Sequence, residues 1–64
     1  MEAYQQRVIE ERKELEEKAT KLSDFIGKSE AFLKIDPAEQ ERLKRQNDIM
    51  WQYFEILGER IANF

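Results

Sequence analysis

The stretch Asp36-Pro37-Ala38-Glu39 decides the fold, because it marks the start of a helix in the middle of the chain. The Asp36 side chain can accept hydrogen bonds from the free N–H groups of a first helical turn, and Pro37 fits that turn because it has no N–H to lose. Glu39 is the third helical residue, where the side chain of a capping box accepts a hydrogen bond from the backbone N–H of the cap residue. The motif therefore predicts a helix that begins at residue 37 and runs towards the C-terminus.

The segment after this motif has helical periodicity up to about residue 62. Apolar side chains recur there at steps of three, four and seven residues, which is the repeat of one helix face. These residues are Leu43, Met50, Phe54, Leu57, Ile61 and Phe64. At 1.5 Å per residue, the predicted helix is about 39 Å long.

The segment before the motif predicts a second rod of similar length, from about Tyr4 to Ile26. Its apolar residues have helical spacing, and residues of high helix propensity fill the positions between them. These apolar residues are Tyr4, Val8, Leu15, Ala19, Leu22 and Ile26. Gly27 is expected to end this helix in a left-handed cap.

The connection between the rods contains Ser29-Glu30-Ala31-Phe32-Leu33, which predicts one short turn of helix. Two rods of equal length joined in this way fold back antiparallel. We therefore expect one all-α domain over residues 1–64, an antiparallel helical hairpin with a short helical turn in its connection.

Length and composition favour self-association. A 64-residue chain buries so little surface that the burial barely exceeds the entropy lost on ordering. The chain has no cysteine and no histidine, which excludes disulfides, the usual zinc ligands and Cys–His catalytic pairs. We expect no cofactor, no metal and no enzymatic activity. A homo-oligomeric helical bundle is the remaining route to a stable fold.

The C-terminal helix carries more apolar residues than one seam, the line of contact between the two long helices, can bury. Ile49, Tyr53 and Ile56 form a second row at helical spacing, and Trp51 is expected to lie off both rows. Because one partner helix cannot cover both rows, these four residues are predicted to contact another subunit. The alternative is that residues 32–33 of the connection fold over the second row.

Net charge and the N-terminus exclude several partners. The net charge of −3 argues against a general DNA or RNA binder, because such domains are basic. The N-terminus lacks the apolar segment of a signal peptide, and no apolar run is long enough to span a membrane. We expect a cytoplasmic protein with neither a nucleic-acid duplex nor a membrane as partner.

Several charged residues have a structural interpretation. Glu14–Lys18 and Glu17–Lys21 have the i,i+4 order that favours ion pairs along a helix. The basic run at 42–45 is interpreted as a solvated face of the second helix.

A candidate site for a small anion lies near the ends of the helices. In an antiparallel hairpin Tyr4, Arg7 and Arg60 come close together, and they offer an aromatic stacking surface with cations for phosphate. Lys18 and Lys21 lie about 20 Å or more further along the rod, so a neighbouring antiparallel subunit is needed to bring them to the same pocket.

A column of four residues flanks the seam of the first helix. Tyr4, Glu11, Lys18 and Phe25 repeat every seven residues, with aromatic rings at the ends and charges between them. The column either faces water beside a narrow seam or faces a polar cavity between subunits.

Several strings resemble a family of short proteins from tailed bacteriophages, over nearly the whole chain. They are Tyr4-Gln5-Gln6-Arg7-Val8-Ile9-Glu10-Glu11, Leu15-Glu16-Glu17-Lys18-Ala19-Thr20-Lys21-Leu22, Phe25-Ile26 and Leu57-Gly58-Glu59-Arg60-Ile61, with the spacing Gln40, Met50, Tyr53, Leu57. That family looks related to the phage anti-CBASS sponges. Those are helical homohexamers that sequester cyclic di- and trinucleotide signals and keep a bacterial effector from being activated.

The resemblance implies a homohexamer that binds cyclic oligonucleotides in the host cytoplasm without cutting them. It implies pockets lined by an N-terminal aromatic or polar residue, a lysine and a threonine of the first long helix, and an arginine late in the chain. Our hypothesis is that the tyrosine stacks on a base, the lysine and the arginine hold phosphates, and the threonine hydroxyl forms a hydrogen bond. The matching positions are Tyr4, Lys18, Thr20 and Arg60, with Arg7 and Lys21 as the nearest substitutes.

Two other functions fit the same sequence. In the first, the row of Ile49, Tyr53 and Ile56, together with Trp51, docks a helix of a host or phage protein, and the chain is an adaptor. In the second, the chain is a structural phage protein with no ligand.

Overall fold

The computed structural model describes residues 1–64 and contains three helices. They are α1 (Ala3–Lys28), α2 (Glu30–Leu33) and α3 (Pro37–Ala62). Because α2 is a single turn, α1 and α3 pack as an antiparallel hairpin that measures 46 × 15 × 13 Å. The predicted all-α hairpin with a helical turn in its connection is confirmed, whereas its assembly into a homo-oligomer stays a prediction. No helix has an apolar stretch long enough to cross a bilayer.

The start of α3 follows the predicted motif in part. The Asp36 carboxylate accepts a hydrogen bond from the Ala38 N–H at 3.1 Å, and Pro37 is the first helical residue. The predicted capping box is wrong, because the Glu39 carboxylate accepts from Arg42 Nε at 2.7 Å instead. A charge-assisted bond to a guanidinium is stronger than one to a backbone N–H, so the nearby arginine takes this carboxylate.

The end of α1 differs from the prediction at Gly27. The helix continues through this residue, and no glycine in the chain has a positive φ, so the predicted left-handed cap is wrong. Ser29 ends α1 in an extended conformation, with its N–H bonded to the Phe25 carbonyl at 3.2 Å. The Ser29 hydroxyl accepts from the Ala31 N–H and so caps α2. One extended serine that links two helices makes a left-handed residue unnecessary.

The core of the hairpin is thin. The chain has four buried residues, Val8, Ala19, Phe32 and Leu57. The other predicted seam residues are half-buried, except Tyr4 and Phe64, which are exposed. A single layer of two helices has no third element to cover the outer parts of these side chains. The structure therefore supports the physical argument that led us to expect self-association.

The connection does not cover the second apolar row of α3. Phe32 turns towards α1 and packs edge-on against Phe25, with ring centroids 5.9 Å apart. Gln40 Nε2 holds the connection by donating to the carbonyls of Phe32 and Ile35 at 3.0 and 2.9 Å. Leu33 remains 76% exposed. The alternative in which residues 32–33 fold over the second row is wrong.

A polar network ties α1 to α3 on one flank of the seam. Trp51 Nε1 donates to the Ser23 hydroxyl at 3.0 Å, and that hydroxyl donates to Asn47 Oδ1 at 2.9 Å. Asn47 Nδ2 in turn donates to the Ala19 carbonyl at 3.1 Å. Trp51 is half-buried and packs edge-on against Phe54, so it borders the first apolar row on the flank away from the second row and, as predicted, belongs to neither. Its place at a subunit contact stays a prediction.

Candidate functional site

Contacts between the long helices define two sides of the hairpin. The network of Ser23, Asn47 and Trp51 lies on one side, which we call the closed side. The Tyr4 ring lies edge-on to Phe64 on the other side, with centroids 6.0 Å apart, and we call this the open side. The buried seam separates the two sides on each helix, because Tyr4 and Ser23 are about 100° apart around α1.

On α1, the open side carries the predicted polar column. Glu11, Lys18 and Phe25 follow Tyr4 at intervals of seven residues, which keeps them near one line along the helix. Glu11 and Lys18 are exposed and Phe25 is half-buried. Arg7 is also exposed and lies three residues after Tyr4, on the outer edge of the same side.

On α3, the open side carries the second apolar row. Tyr53 lies two residues after Trp51, which turns its side chain about 160° around α3, away from the closed side. Phe64, which contacts Tyr4, lies two residues beyond the end of α3 at Ala62. Ile49, Tyr53 and Ile56 are 63%, 42% and 53% exposed. This confirms that the row lies outside the hairpin seam.

An arginine extends the row at each end. Arg45 precedes Ile49 by four residues and Arg60 follows Ile56 by four, and residues three or four apart share one face of a helix. We call Arg45, Ile49, Tyr53, Ile56 and Arg60 the α3 stripe.

The acidic residues of α3 border this stripe without belonging to it. Glu41, four residues before Arg45, pairs with Lys44 instead. Asp48, Glu55 and Glu59 each directly precede a stripe residue. Consecutive helical residues differ by about 100° in direction, so these carboxylates follow a separate line towards the rear of the hairpin. The stripe is therefore apolar and basic on a chain whose net charge is −3.

The ion pairs of the chain leave the cations of the open side without partners. Each of the three pairs joins residues of the same helix: Asp24–Lys28 at 3.5 Å, Glu39–Arg42 at 2.7 Å and Glu41–Lys44 at 3.7 Å. The predicted pairs of Lys18 and Lys21 with glutamates do not form. Arg45 and Arg60 are the basic residues of α3 without a carboxylate partner, and both belong to the stripe. Unpaired cations of this kind are available to an anionic ligand.

The structure places some of the predicted site residues on one side of the hairpin and others elsewhere, with Lys18 about 21 Å along α1 from Tyr4. Tyr4, Arg7, Lys18 and Arg60 lie on the open side. Thr20 does not, because side chains two residues apart on a helix do not face the same way.

Thr20 instead lines a shallow depression of about 410 Å³ along α1, in which the other residues are Lys13, Glu16, Glu17 and Lys21. The ligand-binding roles of Thr20 and Lys21 stay predictions, and in one subunit Thr20 cannot share a pocket with Lys18.

Sequence reasoning missed Arg12, which lies within the seam. Its guanidinium carbon is 4.0 Å from the centre of the Phe54 ring, a cation–π contact, and its buried Nε has no hydrogen-bond acceptor. A Cβ on Gly58 would lie 3.2 Å from Arg12 Nη2, which explains a glycine inside a long helix. The signal was present in the spacing, because Arg12 lies four residues after Val8 and three before Leu15, both seam residues.

Comparisons with known proteins agree with the predicted resemblance to small phage proteins. The model of the family described as Sequestin matches residues 2–63. A 7.5 kDa protein of Enterobacteria phage T4 from the denB-rIIB intergenic region, described as uncharacterized, is 45% identical over 62 residues, which is 97% of this chain and 95% of that protein. No solved structure matches the chain. With nearly every residue inside the family match, the chain is a member of the Sequestin family.

Proposed function

We propose that this protein binds and sequesters small nucleotide second messengers, namely cyclic di- and trinucleotides, and thereby blocks CBASS signalling in the host of a phage. The observation that carries the proposal is the open side, where unpaired cations and exposed aromatic rings lie together on an otherwise acidic chain. The family name, which denotes sequestration, and the relative from phage T4 support the same reading.

The chemistry of the open side matches the two parts of a nucleotide. The arginines and the lysine supply charge-assisted hydrogen bonds to phosphate oxygens, and a guanidinium forms two such bonds at once. Tyr4, which is 52% exposed beside Phe64, offers a ring on which a base stacks. Phe64 lies four residues after Arg60, so this ring is close to the phosphate-binding end of α3.

Sequestration requires affinity and abundance but no turnover. Two long helices fixed by a polar network form a rigid surface, and a rigid surface loses little conformational entropy when a ligand binds. The exposed apolar row serves subunit association in this proposal, and the predicted hexamer is the assembly implied by the resemblance. The cyclic nucleotide leaves the complex chemically unchanged.

The test is calorimetric titration of the protein with a panel of cyclic di- and trinucleotides, with light scattering to measure its mass. Linear dinucleotides and mononucleotides serve as matched ligands of similar chemistry. We expect sub-micromolar binding of at least one cyclic member, and we expect chromatography to recover it intact after the protein is denatured. A folded protein that gives no heat with any member of the panel would overturn the proposal.

Variants locate the site on the surface. Lys18→Ala and Arg60→Ala are each expected to weaken binding at least tenfold, because each removes a cation that no carboxylate neutralises. Lys44→Ala is the matched control, because Lys44 is paired with Glu41 and does not belong to the α3 stripe. If binding survives the combined loss of Lys18 and Arg60, the ligand is not on the open side.

The exposure of Ile49, Tyr53 and Ile56 also fits the adaptor function, in which these residues dock a helix of another protein. If the chain is an adaptor, Ile56→Asp abolishes its inhibition of host defence in an infection assay, whereas Arg60→Ala does not. If it is a sponge, both Ile56→Asp and Arg60→Ala abolish that inhibition. A phage protein without a ligand would show neither nucleotide binding nor an effect of either variant on signalling.

A further inference from the structure

The α3 stripe reads the same in both directions along the helix. Four residues separate Arg45 from Ile49, and four separate Ile56 from Arg60, with Tyr53 next to the centre. A two-fold axis through the stripe between residues 52 and 53 exchanges the two arginines with each other and the two isoleucines with each other. The apolar centre of the stripe therefore matches a second copy of itself lying antiparallel, whereas the arginines at its ends meet as like-charged pairs.

We infer that a second copy of this chain covers the α3 stripe through this two-fold axis, and that the two arginines brought together at each end bind one phosphate group. In this arrangement Ile49 of one copy contacts Ile56 of the other, and the two Tyr53 rings lie side by side. Arg45 of one copy then lies beside Arg60 of the other at both ends. The inference rests on the proposed function for the identity of the anion, and it adds Arg45 to the site.

The apolar part of the stripe supports a second copy as its occupant. The exposed fractions of Ile49, Tyr53 and Ile56 are 63%, 42% and 53%, and nothing in the hairpin covers them. A contact of this kind is isologous, so one patch serves both partners and the assembly closes as a dimer. The resulting dimer is also a unit from which a larger assembly with two-fold axes can form.

The arginines explain why such a contact needs an anion. Side by side, two guanidinium groups repel each other, and neither Arg45 nor Arg60 has a carboxylate partner in its own chain. A phosphate group between them replaces repulsion with charge-assisted hydrogen bonds to both. Association and ligand binding must then strengthen each other by the same factor, because linkage is reciprocal.

The length of the stripe sets the number of sites. Arg45 and Arg60 are fifteen residues apart, which is about 22 Å along the helix axis. The two ends of the dimer therefore form separate, equivalent sites, and each lies near the Tyr4–Phe64 pair of one copy. The expected stoichiometry is two ligands per dimer.

Charge reversal tests the pairing. Arg45→Glu alone, or Arg60→Glu alone, places a glutamate of one copy against an arginine of the other at both ends. We expect each single variant to dimerise without ligand at least tenfold more tightly than the natural protein and to lose phosphate affinity at least tenfold. The double variant places glutamates against glutamates and is expected to be monomeric. Sedimentation velocity over a range of protein concentrations measures these masses, with and without inorganic phosphate or a cyclic dinucleotide.

The control is Lys44→Glu, which changes the same charge outside the stripe and is expected to leave dimerisation and phosphate affinity unchanged. Single reversals that stay as weakly associated as the natural protein, or a double variant that dimerises as tightly as the single ones, would overturn the inference. If the natural protein binds a cyclic dinucleotide but the reversals show no such pattern, the two-fold contact fails and the proposed function stands. If the pattern appears but no nucleotide binds, the contact stands and the proposed function fails.

A second measurement does not depend on charge. The chain has no cysteine, so Tyr53→Cys introduces the sole thiol, next to the proposed axis. Oxidation is expected to give a disulfide-linked dimer for Tyr53→Cys and only monomer for Glu55→Cys, which lies on the rear line of α3. Equal cross-linking of the two variants would contradict the two-fold contact.

Discussion

The closed and open sides of the hairpin use similar residue types in opposite ways. On the closed side, the polar groups of Ser23, Asn47 and Trp51 satisfy one another and join α1 to α3. On the open side, Arg45 and Arg60 have no partner in the chain. The difference indicates that the closed side holds the two helices together, whereas the open side is free to bind other molecules.

The two aromatic residues Trp51 and Tyr53 give the sharpest test of this difference. Trp51→Ala is expected to destabilise the fold by about 3 kcal/mol, because it removes a half-buried ring and its hydrogen bond from the closed side. Tyr53→Ala is expected to change the stability of the dilute protein by less than about 0.5 kcal/mol, because the ring is exposed. Urea unfolding at low protein concentration measures both values.

In binding experiments, the larger effect is expected from Tyr53→Ala and the smaller one from Trp51→Ala. Tyr53→Ala weakens association and nucleotide binding, while folded Trp51→Ala protein retains both. Equal losses of folding stability in the two variants would show that the two sides of the hairpin are not distinct.

The polar network on the closed side can be weakened without removing a ring. Ser23→Ala leaves the indole N–H of Trp51 and the side-chain Oδ1 of Asn47 without their hydrogen-bond partner. The expected cost is about 1–2 kcal/mol of unfolding free energy. Thr20→Ala is the matched control on the same helix, since Thr20 is exposed, and its expected effect is close to zero. Thermal and urea unfolding should rank the two variants in this order.

The smallest expected effect concerns Arg12 and Gly58 within the seam. Gly58→Ala in an Arg12→Met background is expected to stabilise the protein by about 1 kcal/mol, the usual difference between alanine and glycine inside a helix. In the natural protein the gain is expected to be smaller by at least about 0.5 kcal/mol, because the new Cβ would lie 3.2 Å from Arg12 Nη2. Equal gains in unfolding free energy in the two backgrounds would mean that the Arg12 guanidinium does not require a glycine at position 58.

Local features of the fold were predictable from the sequence. The cap at Asp36, the single turn at Glu30–Leu33 and the end of α3 at Ala62 depend on residues within a few positions of one another. The errors at Gly27 and Glu39 are also local, because two capping patterns competed there and Ser29 and Arg42 decided between them. The hydrogen bond of Trp51 to Ser23 joins residues far apart in sequence and is not visible in local spacing.

The candidate site was predictable only in part. Spacing along each helix identified Tyr4, Lys18 and the exposed row, since one helix face is a property of one segment. The prediction placed Thr20 and Lys18 in one pocket although they face different sides of α1. It did so because both residues were chosen for their chemistry and for the resemblance, not for their direction on the helix. It also interpreted Arg45 as part of a solvated run, whereas the structure shows that Arg45 is unpaired while Arg42 and Lys44 are paired.

By itself, the sequence determined the two long helices, the corner between them and the surplus apolar row of α3, because helical period and capping chemistry are local. Only the tertiary structure decided that the row shares a side with Tyr4 and Lys18, that Ser23 bonds Asn47 and Trp51, and that Arg12 lies on Phe54. The physical reason is that side-chain packing across the seam fixes the rotation of each helix about its own axis. That rotation depends on residues distant in sequence, so no local pattern contains it.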